Sequence, residues 1–182
     1  MTEAATEIRS GAEDIAARLE SAFARIHVER MYDVPILNQC LKVEAVGMRA
    51  WQGDWLCVLI TTWFINLMLL PATEERAGAW GDVSLGSSQA HSFPAGRFDF
   101  LVGQEEGIGR YQMCSLFSPV LEFEDQNAAR LTAAAALEAL FDAGLDERRS
   151  GEPQKAAVAT APSGVSRRGL LRGKLVAEQE PT

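Results

Sequence analysis

The chain has 182 residues, 47% of them hydrophobic, which suits one domain with tails and a packed core of useful size. Its formal net charge of -8 is uneven: positions 146–182 hold seven Lys/Arg and five Asp/Glu, a net of +2, leaving -10 on the body before them. An acidic body disfavours nucleic acid and anionic membrane surfaces as partners.

From Ala4 to Arg30 the periodicity predicts an amphipathic helix. Ile8, Ala12, Ile15, Leu19, Phe23 and Ile26 recur at steps of three and four, opposite Glu7, Glu13, Asp14, Arg18 and Glu20. Pro35 ends it, because the residue before a proline is pushed out of the helical region. Leu41–Ala50 and Trp55–Thr61 are rich in strand formers and flank the turn signal Gln52-Gly53-Asp54, so a hairpin is expected. A third strand, Asn66–Leu70, follows a bend around Thr62–Ile65.

The uncharged run Trp55–Leu70 raises the question of a membrane. It is shorter than the roughly 20 residues of a spanning helix, and Thr61, Thr62 and Asn66 interrupt it. Buried strands, covered on both faces, are the expected reading. Thr73–Phe93 reads as loop around a lone Trp80. Arg97–Val102 and Ile108–Phe117 form a second hairpin around the turn Gly103–Gly107, with Tyr111, Met113, Ser115 and Phe117 on one face. A second helix starts near Glu124 or Asp125, with Leu131, Ala134, Leu137 and Phe141 as its apolar stripe and Gly144 at its end.

After Leu145 the composition turns small, polar and Pro/Gly-punctuated, as in a disordered tail. It ends in a basic cassette, SRRGLLRG, at Ser166–Gly173. The expected architecture is α+β: a two-layer sandwich, its antiparallel sheet of about five strands carrying helices on one face. The expected boundaries are a domain over 1–145 and a flexible tail over 146–182.

No catalytic signature is present. The sequence has no nucleophile elbow and no phosphate-binding loop, and Gly103, Gly107 and Gly109 lie between strands and open no helix. His27 and His91 lack metal-ligand spacing, and His27 reads as a solvated or capping residue. Cys40, Cys57 and Cys114 are widely separated, with no CxxC pair, as expected of reduced thiols in a cytosolic protein. Cys114, His91 and Asp99 are the right types for an activated thiolate, but nothing local joins them. Glu122, Glu124 and Asp125 fit a helix first turn better than acid–base work. The expectations are therefore no enzyme activity, no metal and no cofactor. The N-terminus lacks the basic and apolar regions of an export leader, so a cytoplasmic location is expected.

Four blocks are distinctive in order and spacing: PILN (Pro35–Asn38), the run Val43–Pro71, the run Phe93–Gln126, and the terminal SRRGLLRG. Together they resemble the HybE-type NiFe-hydrogenase assembly chaperones. Thr62 stands where such proteins often carry proline before the tryptophan. The resemblance implies a non-enzymatic cytoplasmic escort that binds large or small hydrogenase precursor subunits and delays twin-arginine export until cofactors are installed. A general binder of twin-arginine leaders is the alternative, and a cysteine hydrolase a more distant one.

Large apolar groups at strand ends and bends suit a surface that grips an unfinished partner. One expected partner-binding face comprises Trp63, Phe64, Asn66, Ser115, Phe117, Ser118, Pro119 and Phe123. Arg167 and Arg168 in the tail could pair with partner carboxylates, or compete for a site that reads twin-arginine leaders.

Overall fold

The computed structural model describes residues 2–144, with side chains from residue 11 onward. The tail, with Arg167 and Arg168, lies outside the described residues. Helix α1 (Thr2–Arg30) is followed by strands β1 (Glu44–Trp51), β2 (Asp54–Ile60) and β3 (Ile65–Pro71) and the short helix α2 (Glu74–Gly81). Strands β4 (Ser88–Phe93), β5 (Gly96–Glu105) and β6 (Gly109–Phe117) and helix α3 (Gln126–Ala139) complete the fold. All pairings are antiparallel, in the order β1-β2-β3-β6-β5-β4.

The fold is α+β with one antiparallel sheet, as the strand patterns indicate. The sixth strand is β4, drawn from a stretch that reads as loop. Its sequence SQAHSF is polar, and it sits at the sheet edge, where one face and one side stay wet. The same stretch holds α2, capped by the Thr73 hydroxyl on the Arg76 amide and anchored by buried Trp80.

Helices cover both faces of the sheet, which adds a third layer to the two expected. Leu56, Val58 and Ile60 of β2 point into one core with Ala129, Ala133, Leu137 and Leu140 of the α3 segment. The alternate residues Cys57 and Leu59 point into a second core with Ile15, Leu19, Ala22 and Phe23 of α1. A period of two, apolar at every position, is what a strand buried on both sides requires.

The sheet also curls. Six flat strands would hold β1 and β4 about 24 Å apart. Yet Trp51 at the end of β1 stacks on Phe93 at the end of β4, with ring centroids 4.3 Å apart. Helix α3 lies in the resulting concavity. Its C-terminal carbonyl at Leu140 accepts the Ala95 amide beyond β4, and Glu138 pairs with Arg49 on β1 at 2.7 Å. Helix α1 crosses the opposite, convex face. Glu20 accepts the Ala45 amide at the β1 edge, while Arg18 donates to the Gly107 carbonyl in the β5–β6 turn.

Two irregularities set the side-chain directions. The register of β1 against β2 slips between Val46 and Arg49, and Gly47 there has φ +70°. A Cβ at Gly47 would collide with Leu137 of α3, so glycine serves both conformation and helix approach. The second slip lies at the end of β6, where Ile65 faces Phe117 but Asn66 faces Ser115. The extra residue turns Phe117 to the α3 side with Leu116, away from the α1 side expected from simple alternation.

Gly47→Ala combines a strained φ with overpacking, and we expect it to cost about 1–3 kcal/mol, measured as a lower urea midpoint with unchanged m.

Candidate protein-binding site

Three chain segments meet at the end of the sheet where β2, β3 and β6 terminate or turn. The first is the stretch after α1, the second is the β2–β3 bend, and the third runs from β6 to α3. Asn38 joins them. Its amide N–H donates to the Thr62 carbonyl at 2.7 Å. Its side-chain Nδ2 donates to the carbonyls of Val120 at 2.9 Å and Phe123 at 2.7 Å, and its Oδ1 accepts the Cys40 amide. Every hydrogen-bonding group of this buried side chain is used.

The bend is built around Thr61. Its hydroxyl donates to the Phe64 carbonyl and accepts the amides of Trp63 and Phe64, closing a tight connection between the buried strands. Thr62 then shares a 2.8 Å hydrogen bond with His27 Nδ1 on α1. The His27 ring also stacks on Trp63, with centroids 6.0 Å apart. His27 is therefore a tether between helix and bend, where the sequence suggests a solvated or capping residue. Asp125 caps α3 through the Ala128 amide, which fixes the end of the third segment.

The residues expected to form the binding face divide into two groups. Trp63, Phe64 and Asn66 belong to the α1 side, where Phe64 meets the Phe23 ring edge-on. Phe117 and Phe123 belong to the α3 side and pack edge-on against each other at 5.1 Å. Trp63, Asn66 and Phe123 are buried; Phe64, Ser115 and Phe117 are half-buried; Ser118 and Pro119 are exposed. The buried members can only support a surface, which other side chains must present.

Those side chains lie on or directly beside the segments that Asn38 joins. Val28 and Tyr32 at the end of α1, Ile36 beside Asn38, and Leu121 between Val120 and Phe123 are 68%, 80%, 41% and 58% exposed. Carboxylates accompany them, since Glu29, Asp33, Glu122 and Glu124 are also exposed. The sequence holds a weak signal for this patch, namely apolar residues in a stretch that forms neither strand nor helix.

A charged cluster fastens the C-terminal part of α1 to the β5–β6 turn. Glu105, 8% exposed, accepts Arg30 at 2.6 Å and Arg25 at 3.2 Å. Burial pushes its carboxyl up, but the Arg30 hydrogen bond and charge, with help from the Glu106 amide and Arg25, hold it below the ordinary range. On the other side of the sheet, Arg130 holds Glu44 low against a smaller opposing effect of burial. Asn66 is a different case. Its Nδ2 reaches Met113 Sδ at 3.6 Å, and its buried Oδ1 has no partner.

Among the described residues no group of three or more His, Cys, Asp and Glu is placed to hold a metal ion. His91 pairs with Gln112 at 2.6 Å and contacts Phe100 inside the concave core. Asp99 points from the other face of β5 into solvent, so the Cys114–His91–Asp99 grouping is not assembled. Burial pushes the Cys57 thiol up, which keeps it protonated. The uncharged Trp55–Leu70 run is the β2–β3 hairpin, and no described helix is long and apolar enough to cross a membrane.

Residues 14–173 match the family model for the HybE chaperone of NiFe-hydrogenase assembly. The chain belongs to this HybE family. It is 40% identical over 159 residues to the hydrogenase expression/formation protein HupJ of Bradyrhizobium diazoefficiens, covering 86% of each chain. It is 38% identical over 137 residues to the protein HoxT of Cupriavidus necator, covering 70% of this chain and 75% of that one. The solution structure of HybE from Escherichia coli shares the fold, with a TM-score of 0.51 at 22% identity over 84% of this chain and 91% of that one. The HybE-family match spans α1, the whole sheet, α3 and the basic cassette.

Two stability measurements follow from this geometry. Glu44 and Glu105 have depressed pKa values in the folded state, so their contribution is complete above the ordinary glutamate value of about 4.3. It is lost as pH falls through their folded values. Urea midpoints should therefore drop steeply below about pH 4, and Glu105→Gln should flatten that drop while lowering the midpoint at pH 7. Asn66→Leu removes an unsatisfied buried amide and should raise stability by about 1 kcal/mol, whereas a lowered urea midpoint would show that the amide is structurally required.

Proposed function

We propose that this HybE-family chain holds a nickel–iron hydrogenase precursor subunit against the end of the sheet organised by Asn38. The grip lasts while the subunit receives its metal centres, and it delays twin-arginine export until they are in place. The chain acts in the cytoplasm and performs no reaction of its own. One observation carries the choice of surface: of seven large hydrophobic side chains exposed among the described residues, Tyr32, Ile36 and Leu121 lie on two of the joined segments, and Val28 lies in the last turn of α1 just before them.

An unfinished subunit offers apolar surface that will later be buried. Covering it on both partners is worth about 25 cal/mol per Å² removed from water, before the costs of association. The β2–β3 bend and the Phe117–Phe123 pair give the patch a rigid base, which limits the ordering cost of binding. Glu29, Asp33, Glu122 and Glu124 favour client segments rich in arginine or lysine. The same property supports the second reading, a binder of basic export leaders in general.

Ile36→Asp and Leu121→Asp change exposed positions, so stability should move by no more than about 0.5 kcal/mol. Each should weaken capture of the precursor by roughly tenfold or more in a titration with purified subunit, as expected for the loss of an interface anchor. Unchanged capture by both variants would exclude this surface. Trp63→Ala and Phe123→Ala are poorer probes, since each removes a core side chain at about 3–5 kcal/mol. Strong binding of an isolated leader peptide, with none of the leaderless subunit, would favour the second reading.

A further inference from the structure

A groove of about 480 Å³ runs between α1 and the chain entering β1. Ala24, Val28, Leu41 and Val43 give it apolar walls, and Glu20 and Thr62 contribute polar groups. One wall is a free sheet edge. The Ala45 amide points away from β2 and is taken by Glu20 Oε1 at 2.8 Å.

We propose that this groove is the docking place of the chain's own basic cassette, Ser166–Lys174, and that the cassette thereby masks part of the partner surface. The masking rests on the proposed partner-binding reading; the docking itself does not.

Three features of the chain select this occupant. The first is chemistry. The cassette carries Arg167, Arg168, Arg172 and Lys174 with no acid, around the pair Leu170 and Leu171. The groove offers apolar walls and the Glu20 carboxylate, with exposed Glu29 beside Val28. Arginine forks suit such carboxylates, and an extended segment suits an open strand edge.

The second is reach. Gln126, the first residue of α3, accepts the Lys42 amide and donates to Glu44, so α3 begins beside the groove. Its 14 residues carry the chain about 21 Å away. From Gly144 to Ser166 the chain advances 22 residues, whose maximum reach at about 3.3 Å each exceeds that distance several-fold. The tether is therefore long enough to return the cassette to the groove, and the encounter is intramolecular. The third is that the family match extends to residue 173, and so takes in the cassette together with the domain.

The test uses the full chain labelled with ¹⁵N. The double change Arg167→Glu, Arg168→Glu should move the amide signals of Val43, Ala45 and Thr62, independently of protein concentration. Adding Glu20→Lys to that variant should return the Val43 and Thr62 signals toward their wild-type positions; the Ala45 amide, which Glu20 itself accepts, is not read in this step. Unmoved signals overturn the proposal. Wild-type signals that shift with protein concentration overturn it as well, because the cassette then enters a second copy. For masking, the double variant should bind purified precursor subunit roughly 3- to 10-fold more tightly than wild type. Equal or weaker binding removes the masking. A chain that binds no precursor in any form defeats the functional reading instead, and the amide signals still decide the docking.

Discussion

Hydrogen bonds at Asn38 hold together the part of the molecule proposed to grip the client. The segments they join have no mutual sheet pairing. Asn38 ties the β2–β3 bend and the β6–α3 connection to the stretch after α1, and Gln126 adds a second tie between the entry into β1 and α3. A buried asparagine is costly unless all its groups are satisfied, and here they are. Removing its side chain would take a donor from the Phe123 and Val120 carbonyls and the acceptor from the Cys40 amide, although Val120 would keep the Phe123 amide. The apolar side chains on these segments stay exposed but stand on a defined base.

That base exists because the sheet is packed on both sides. Helix α1 spans the convex face from the β1 edge to the β5–β6 turn, and its arginines clamp the buried Glu105. Helix α3 fills the concavity and closes the gap between the outer strands with Trp51, Phe93 and Phe141. The curl brings aromatic side chains over one end of the β4–β1 gap, which leaves less open edge for unspecific strand pairing. The remaining accessible edge lies beside Glu20, next to the proposed client surface.

The hairpins, the two principal helices and the apolar strands were legible in the sequence because their signals are local. Gln52-Gly53 makes the turn, with φ values of 49° and 83°, and Asp125 makes the cap. Strand β4 was not legible, since an edge strand with polar residues differs little from loop. The layer count was missed for a related reason: apolar runs show that both faces are covered but not by what. At the candidate site, the expected face mixed core and surface side chains. Trp63 and Phe123 are large and apolar because they are core, and only tertiary contacts reveal this. Asn38 and His27 gave no warning, because their partners are 24 to 85 residues away or belong to another element. The resemblance carried by the four blocks supplied the family, which composition and periodicity alone left open.

Hydrogen–deuterium exchange of the full chain, with and without a purified hydrogenase precursor subunit, tests the central claim most directly. The account predicts new protection over residues 28–38 and 118–124, with the exposed face of β4 and β5 unchanged. Protection confined to β4 and β5, with both of those segments exchanging as in the free chain, would contradict it.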